Sequence, residues 1–435
     1  MDLFFSRRFL PLFVAQFFGA FNDNFLKNAI LIMVIYREMM SQQASEGLAN
    51  LAAALFLLPY FLFSTIAGEL TDKYDRTSCA RMCKLIEIPL MCIAVIGFLI
   101  PSVPLLLTVL FLMGAQSTFF GPAKYALIPS LMKKEEIMTG NGWITGGTYL
   151  AILLGVVGGS LSMGFSGGGI LCSGILIICA FIGYIASRYI PMAGNGQPQM
   201  EINWNIPVRT YRILKDDVWE QYPVRFCVLS SSMFLLSGSL ILTQIPSLTK
   251  NHLGGGETVC TVFFLLFSIG IGIGSALARR IYRHDTGRLS RKILLFNFLM
   301  ALFVLDLSRY ALKHETVFDF TGNLPGSLLL PLELLLLAIS GGLWLVPLHT
   351  HVQMTSRPEV LGRVIAGKNI LESACAAGGS LLIAFLLNKG LPLYCVFPII
   401  SIITLLGGVL LLLLQSNVLT NCKIANKKEG RDVPL

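Results

Sequence analysis

The chain has 435 residues, 54% of them hydrophobic and 13% charged, with a mean hydropathy of +0.72 and a formal net charge of +9. A soluble domain wets its surface with about 25% charged residues, so this composition excludes a water-soluble globule. The apolar residues recur in blocks of roughly 20, enough to cross about 30 Å of hydrocarbon as a helix, and runs such as Leu405 to Leu414 lack the alternation of a barrel strand.

The blocks predict twelve spans, at 9–36, 48–69, 82–100, 103–120, 143–163, 170–190, 226–248, 258–281, 293–310, 327–347, 364–387 and 393–414. The expected fold is an all-α polytopic membrane protein of twelve transmembrane helices in two six-helix halves, residues 1–190 and 226–414. A linker, 191–225, joins the halves, and a basic tail, 415–435, follows. The first block is too long for a signal-peptide core and has no small-residue cleavage site. Under this alternation 27 of the 33 Lys and Arg fall on one side of the membrane. Basic residues stay cytoplasmic during insertion, so both termini are expected in the cytoplasm of a bacterial inner-membrane protein. The positive charge is thereby topogenic, and nucleic acid is not expected as a partner.

Span 1 carries Asp23 and Lys27 near its middle, flanked by Asn24 and Asn28. A charge at mid-bilayer costs about 2.5–3.5 kcal/mol, so it is kept only where it meets a cavity or a partner. Asp23 and Lys27 share a helix face at i,i+4, which leaves two readings: a polar cargo site, or a self-satisfied ion pair. Span 2 ends in Gly68-Glu69-Leu70-Thr71-Asp72-Lys73-Tyr74-Asp75-Arg76. This resembles the G-x-x-x-D-(R/K)-x-G-R signature of the major facilitator superfamily, with Asp75 where that family usually has Gly. Gly68 permits close helix approach, while Asp72, Lys73 and Arg76 can bind helix ends and carboxylates across a closed face. These four form the candidate conformational latch.

On span 3, Glu87 has Lys84 one turn away and can pair with it. Gly155, Gly158 and Gly159 on span 5 form a close-packing stripe. In the linker, Val208, Tyr211, Leu214 and Val218 recur at helical spacing beside Arg209, Arg212 and Lys215. That pattern predicts an amphipathic helix on the cytoplasmic leaflet, basic side toward anionic headgroups. Gly274 to Arg280 closes span 8 as an echo of the span 2 motif, with Ala278 in place of the acid. Asp306 and Glu333 fall near the outer ends of spans 9 and 10, and His349 and His351 at the inner end of span 10. Span 11 carries Lys368-Asn369-Ile370-Leu371-Glu372-Ser373, so Asp23 and Glu372 would offer one acid from each half to a central cavity. The ten cysteines show no metal or redox spacing, and no metal, cofactor, phosphate-binding loop or nucleophile constellation is expected.

Several stretches are more specific. Arg7 to Phe13, Gln16-Phe17 and Ala20-Phe21-Asn22-Asp23-Asn24 resemble the LplT-type lysophospholipid transporter family, especially the transporter half of forms fused to an acyltransferase and an acyl-carrier-protein synthetase. Gly121-Pro122-Ala123-Lys124-Tyr125-Ala126 resembles its P-A-K-Y-G stretch, with Ala126 replacing Gly. Asn141-Gly142-Trp143 with Thr148 to Gly155 resembles its N-G…T-x-x-A-I-L-L-G, and Asn369 to Ser373 its N-L-G-E-N.

The resemblance implies flipping of lysophospholipids, such as lysophosphatidylethanolamine, from the outer to the inner leaflet by alternating access. Reacylation by a separate cytoplasmic-side acyltransferase follows, and a monomer among membrane lipids is expected. The substrate-binding candidates are Asp23, Asn24, Lys27, Lys124, Asn369 and Glu372. One departure stands out. The family has an arginine inside helix 7, whereas Phe226 to Leu248 contains no basic residue. Either Lys27 replaces it or the substrate differs. The alternative function is export or import of a small amphipathic solute, a drug or siderophore, with proton coupling through Asp23 or Glu372. A non-transporting scaffold that recruits an acyltransferase is a third.

Overall fold

The computed structural model describes residues 3–36, 42–165, 167–194, 196–202, 205–282, 289–312 and 329–406; the end of span 12 and the basic tail lie outside them. Six helices form the first half: α1 (Leu10–Tyr36), α2 (Gln42–Lys73), α3 (Arg76–Leu99), α4 (Val103–Leu131), α5 (Lys134–Gly164) and α6 (Gly168–Arg188). The linker holds α7 (Ile206–Arg212), continued without a break by a π-helical stretch, Ile213–Trp219. The second half contains α8 (Tyr222–Ser247), α9 (Glu257–Tyr282), α10 (Leu289–Leu312), α11 (Leu329–Thr355), α12 (Leu361–Asn388) and a shorter apolar helix, α13 (Leu393–Leu406).

Ten of the described helices are long and apolar enough to cross a membrane. With α1, whose apolar run is interrupted by Asp23 and Lys27, and α13, they make the twelve-helix bundle expected. Several helices begin or end well beyond the predicted spans. Arg76, six residues before the predicted third span, lies on α3, and Lys124 lies on α4 seven residues before its end. The extra turns carry polar residues that face protein, where hydropathy gives no signal.

The apolar core divides along the sequence. One cluster runs from Val218 to Ile400, and two others draw only on residues between Phe9 and Ile190. Within the first half, glycine sets the closest approach. A Cβ at Gly155 would meet the Phe21 carbonyl at 2.6 Å, and one at Gly159 the Phe25 carbonyl at 2.6 Å, so the α5 stripe seats the backbone of α1 at the turn that carries Asp23.

Between the halves, the closest contacts gather toward the side that bears the basic loops. A Cβ at Gly68 would lie 2.6 Å from the Ala366 Cβ, and one at Gly142 2.6 Å from the Ser275 carbonyl. Ala126 packs with Leu361 and Ile365 in a small cluster that spans both halves. The two halves are therefore in van der Waals contact on that side, and the site lies behind this contact.

Candidate functional site

A cavity of about 340 Å³ lies between the halves, lined from α1, α2, α3, α4, α5, α8, α11 and α12. Its walls mix polar side chains with aromatic and aliphatic ones, among the latter Phe56, Tyr60, Phe120, Tyr149, Ile152 and Leu345. Charges of both signs project into it: Asp23, Lys84, Lys124, Lys368 and Glu372.

These charges differ in how the fold satisfies them. Lys84 Nζ is 2.7 Å from Glu87 Oε2, both side chains 1% exposed, and Asn22 Nδ2 donates to Glu87 Oε1 at 2.9 Å. Lys368 Nζ meets both Glu372 oxygens, at 2.8 and 2.9 Å. Each of these lysines is thus held by an acid one turn along its own helix. Lys124 has no ion pair among the described residues; its ammonium lies 4.7 Å from the centroid of the Tyr125 ring. Asp23 accepts from Ser117 Oγ at 2.6 Å through Oδ2, while Oδ1 is buried without a protein partner. Among the charged groups of the cavity, Lys124 and one Asp23 oxygen are therefore the ones that the described residues leave without an ion pair or hydrogen bond; the neutral Gln16 Nε2, Thr145 Oγ1 and His349 Nδ1 on its wall are likewise without a hydrogen-bond partner.

Of the sequence candidates, Asp23, Asn24, Lys124, Asn369 and Glu372 all line this cavity, which joins residues up to 356 positions apart in the chain. Lys27 does not line it and forms no ion pair with Asp23 among the described residues, so the self-satisfied pair is not what the structure holds, and of the two only Asp23 faces the cavity. The neighbouring Asn28 is turned toward α5, donating to the Val156 carbonyl at 2.8 Å. Lys84 pairs with Glu87 as their spacing suggests, but neither it nor Lys368 is among the sequence's candidate site residues, and both line the cavity. The Lys-x-x-Glu and Lys-x-x-x-Glu spacings inside apolar runs were the available signal. They also bear on the missing arginine of helix 7: from α8 only Leu235 reaches the cavity, and the cations come from α3, α4 and α12 instead. His349, placed at the inner end of span 10 by sequence, is buried at the cavity wall, edge-on to Tyr125 with ring centroids 5.1 Å apart.

On the basic side the cavity is closed by two polar layers. Nearest is a network of Asn141, which donates to Gln353 Oε1 at 2.6 Å and Thr350 Oγ1 at 3.1 Å, while Gln353 donates to the Tyr125 carbonyl at 3.1 Å. Beyond it, Asp72 caps the start of α12. It accepts from the Gly362 and Arg363 amides at 2.7 and 3.0 Å and from Arg363 Nε at 3.3 Å. The carboxylate thus meets the positive end of that helix. Arg76, 1% exposed, donates to Ser130 Oγ at 2.9 Å and to the Pro358 carbonyl, joining α4 to the turn before α12.

Gly68, Asp72 and Arg76 therefore all touch the opposite half. Lys73 does not; its ammonium lies over the Tyr74 ring. In the α9 echo, Ala278 is buried in the core and Arg279 and Arg280 are exposed, so the polar contacts come from the first-half motif. Outside the spans, burial raises the Asp217 carboxyl above its usual range, and Arg363, 3.7 Å away, pulls it back.

Elsewhere, Asp306 and Glu333 share Arg309 at the other end of α10 and α11. No group of three or more His, Cys, Asp or Glu suited to a metal occurs among the described residues.

Known proteins agree with this architecture. The chain is 25% identical to a lysophospholipid transporter, LplT, of Escherichia coli O1:K1, over 85% of this chain and 86% of that protein, and equally to LplT of Shigella sonnei strain Ss046. In structure it resembles the human organic anion transporter MFSD10, with a TM-score of 0.74 at 14% identity over 93% of this chain and 99% of that one. It also resembles the E. coli fucose:proton symporter FucP, with a TM-score of 0.67 at 12% identity over 94% and 99%. The family model of the Major Facilitator Superfamily matches residues 12–366. A twelve-helix multi-pass bundle with its cavity between two halves, matched by that model along most of its length, belongs to the Major Facilitator Superfamily of membrane transporters.

Proposed function

We propose that this transporter flips lysophospholipids from the outer to the inner leaflet, with the basic side in the cytoplasm and the closed contact of Asp72 and Arg76 as its outward-facing state. The observation that carries the reading is that Lys124 and Asp23, neither of them in an ion pair among the described residues, face one cavity whose wall also carries the Lys84 and Lys368–Glu372 charges, polar side chains, and apolar and aromatic ones such as Phe56, Phe120 and Leu345. A lysophospholipid offers one phosphate, an ammonium when the headgroup is ethanolamine, and a single acyl chain. The phosphate suits Lys124, and the ammonium suits Asp23. Each methylene kept out of water is worth about 0.8 kcal/mol, so the chain stays against apolar walls or lipid while the headgroup moves along the polar track. The similarity to LplT supports the same cargo.

The test is protection of labelled lysophosphatidylethanolamine in proteoliposomes. Purified protein should move the lipid from the outer leaflet to a pool that albumin cannot extract. If only a small amphipathic solute moves, and only with a proton gradient, the lipid reading is lost and the alternative stands. Reacylation then belongs to an acyltransferase acting on the delivered lipid.

A further inference from the structure

The linker helix contacts both halves. On one bank, Thr210 Oγ1 is 2.6 Å from Thr65 Oγ1 of α2, and Arg209 pairs with Glu69, whose carboxyl is fully buried. On the other bank, Asp217 meets Arg363 and Val218 rests on Gly367, where a Cβ would approach Val218 Cγ2 to 2.9 Å. The helix therefore lies over the seam where α2 and α12 touch at Gly68 and Ala366.

Its depth follows from these partners. Thr65 precedes the end of α2 by eight residues, about 12 Å of helix, and Gly367 follows the start of α12 by six residues, about 9 Å. The linker is thus beside the bundle, about two turns inside the helix ends, and not beneath it. At 1.5 Å per residue α2 and α12 are about 48 and 42 Å long and overhang a hydrocarbon core of about 30 Å by roughly 6–9 Å at each end, so that depth falls near the glycerol boundary of the bilayer.

The π-helical stretch decides which residues look outward. Its wider turn carries Val218 inward onto Gly367, although α spacing would group Val218 with Tyr211 and Val208. Ile213 and Val218 are buried, whereas Tyr211 is 63% and Trp219 48% exposed. Arg212 and Lys215 are exposed too, but Asp216 and Glu220 are exposed beside them, so charge is nearly balanced. The apolar stripe expected to face lipid is thereby split, and the expected basic lipid face is reduced to a mixed one. What remains outward is aromatic, the residue type that collects at membrane–water interfaces.

We propose that residues 206–219 form a strap whose inner face bridges α2 and α12 and whose outer face, through Tyr211 and Trp219, docks in the lipid interface of the leaflet on the basic side. The partner is the bilayer itself, by aromatic insertion and not by recognition of anionic headgroups.

The experiment uses the full chain in phosphatidylcholine vesicles and the emission lost in Trp219→Phe, which isolates one of the four tryptophans. Phosphatidylcholine brominated at carbons near the glycerol should quench this emission more than lipid brominated near the chain end, and aqueous iodide should leave it nearly unchanged. Replacing a fifth of the lipid by phosphatidylglycerol should not alter the pattern. A second reporter, Tyr211→Trp in the Trp219→Phe background, should behave alike. Iodide quenching without bromolipid quenching would place the face in water and overturn the proposal; stronger quenching by brominated phosphatidylglycerol than by brominated phosphatidylcholine would overturn its charge-independent form. The readout involves no transport, so it stands or falls apart from the lysophospholipid reading.

Discussion

Asp23 and Lys124 differ from the other charges of the cavity because neither forms an ion pair among the described residues, while Lys84 and Lys368 are each matched to an acid on their own helix. Two kinds of substitution should therefore part company. Asp23→Asn and Lys124→Gln should abolish lipid protection in proteoliposomes while leaving thermal stability within a few degrees, since neither change breaks an ion pair. Glu87→Gln should instead leave Lys84 uncompensated at 1% exposure. Removing one partner of a buried pair costs about 3–5 kcal/mol, so a fall in the melting temperature of the detergent-purified protein, with reduced yield, is expected. The double change Lys84→Met with Glu87→Leu should recover most of that stability, because no isolated charge remains. Unaltered melting in Glu87→Gln would mean that water reaches the pair. The acid of α1 could be read from sequence because a carboxylate within an apolar block has few bland explanations. The pairing of Lys84 with Glu87 was legible in their spacing, but the place of Lys84 and Lys368 on the cavity wall was not, because a basic residue near a predicted span end is indistinguishable from a topogenic one until the helix is known to extend past it.

Among the helices, the contact of α5 with α9 depends on an absent side chain. A Cβ at Gly142 would stand 2.6 Å from the Ser275 carbonyl, a backbone atom that cannot rotate aside. Gly142→Ala must therefore push the two helices apart on the basic side, where forced overpacking costs about 1–3 kcal/mol. The expected result is a population moved toward opening on that side, read as faster alkylation of a cysteine placed at Thr145 by a membrane-impermeant reagent added to that face of inside-out vesicles, in a background without the native cysteines. Labelling no faster than in the Gly142 parent would count against this role. The number and order of the helices were legible because apolar length is a one-dimensional signal. The linker was legible only as helical and amphipathic. Its facing was not, because the π-turn between Ile213 and Trp219 breaks the spacing on which a helical-face argument rests.

For the molecule as a whole, the inter-half polar contacts among the described residues lie on the basic side of the cavity, and Asp72 contributes three of their hydrogen bonds. An alternating-access transporter must break all of them to open there, so their strength sets the balance between its two states. Hydrogen bonds to a charged group contribute about 1.5–3 kcal/mol, and every 1.4 kcal/mol shifts an equilibrium tenfold. Asp72→Asn keeps the shape but removes the charge that faces the α12 amides and Arg363, and it should move the population toward the basic-side-open form by about tenfold or more. Thr145-site labelling from the basic side should rise accordingly, and lipid protection should fall even though Asp23 and Lys124 are intact. Asp72→Glu, which retains the charge on a longer arm, should recover part of both. If Asp72→Asn lowered transport with no change in labelling, the carboxylate would be acting through the stability of the bundle and not through the closed state. The substitution therefore separates a latch from a structural cap.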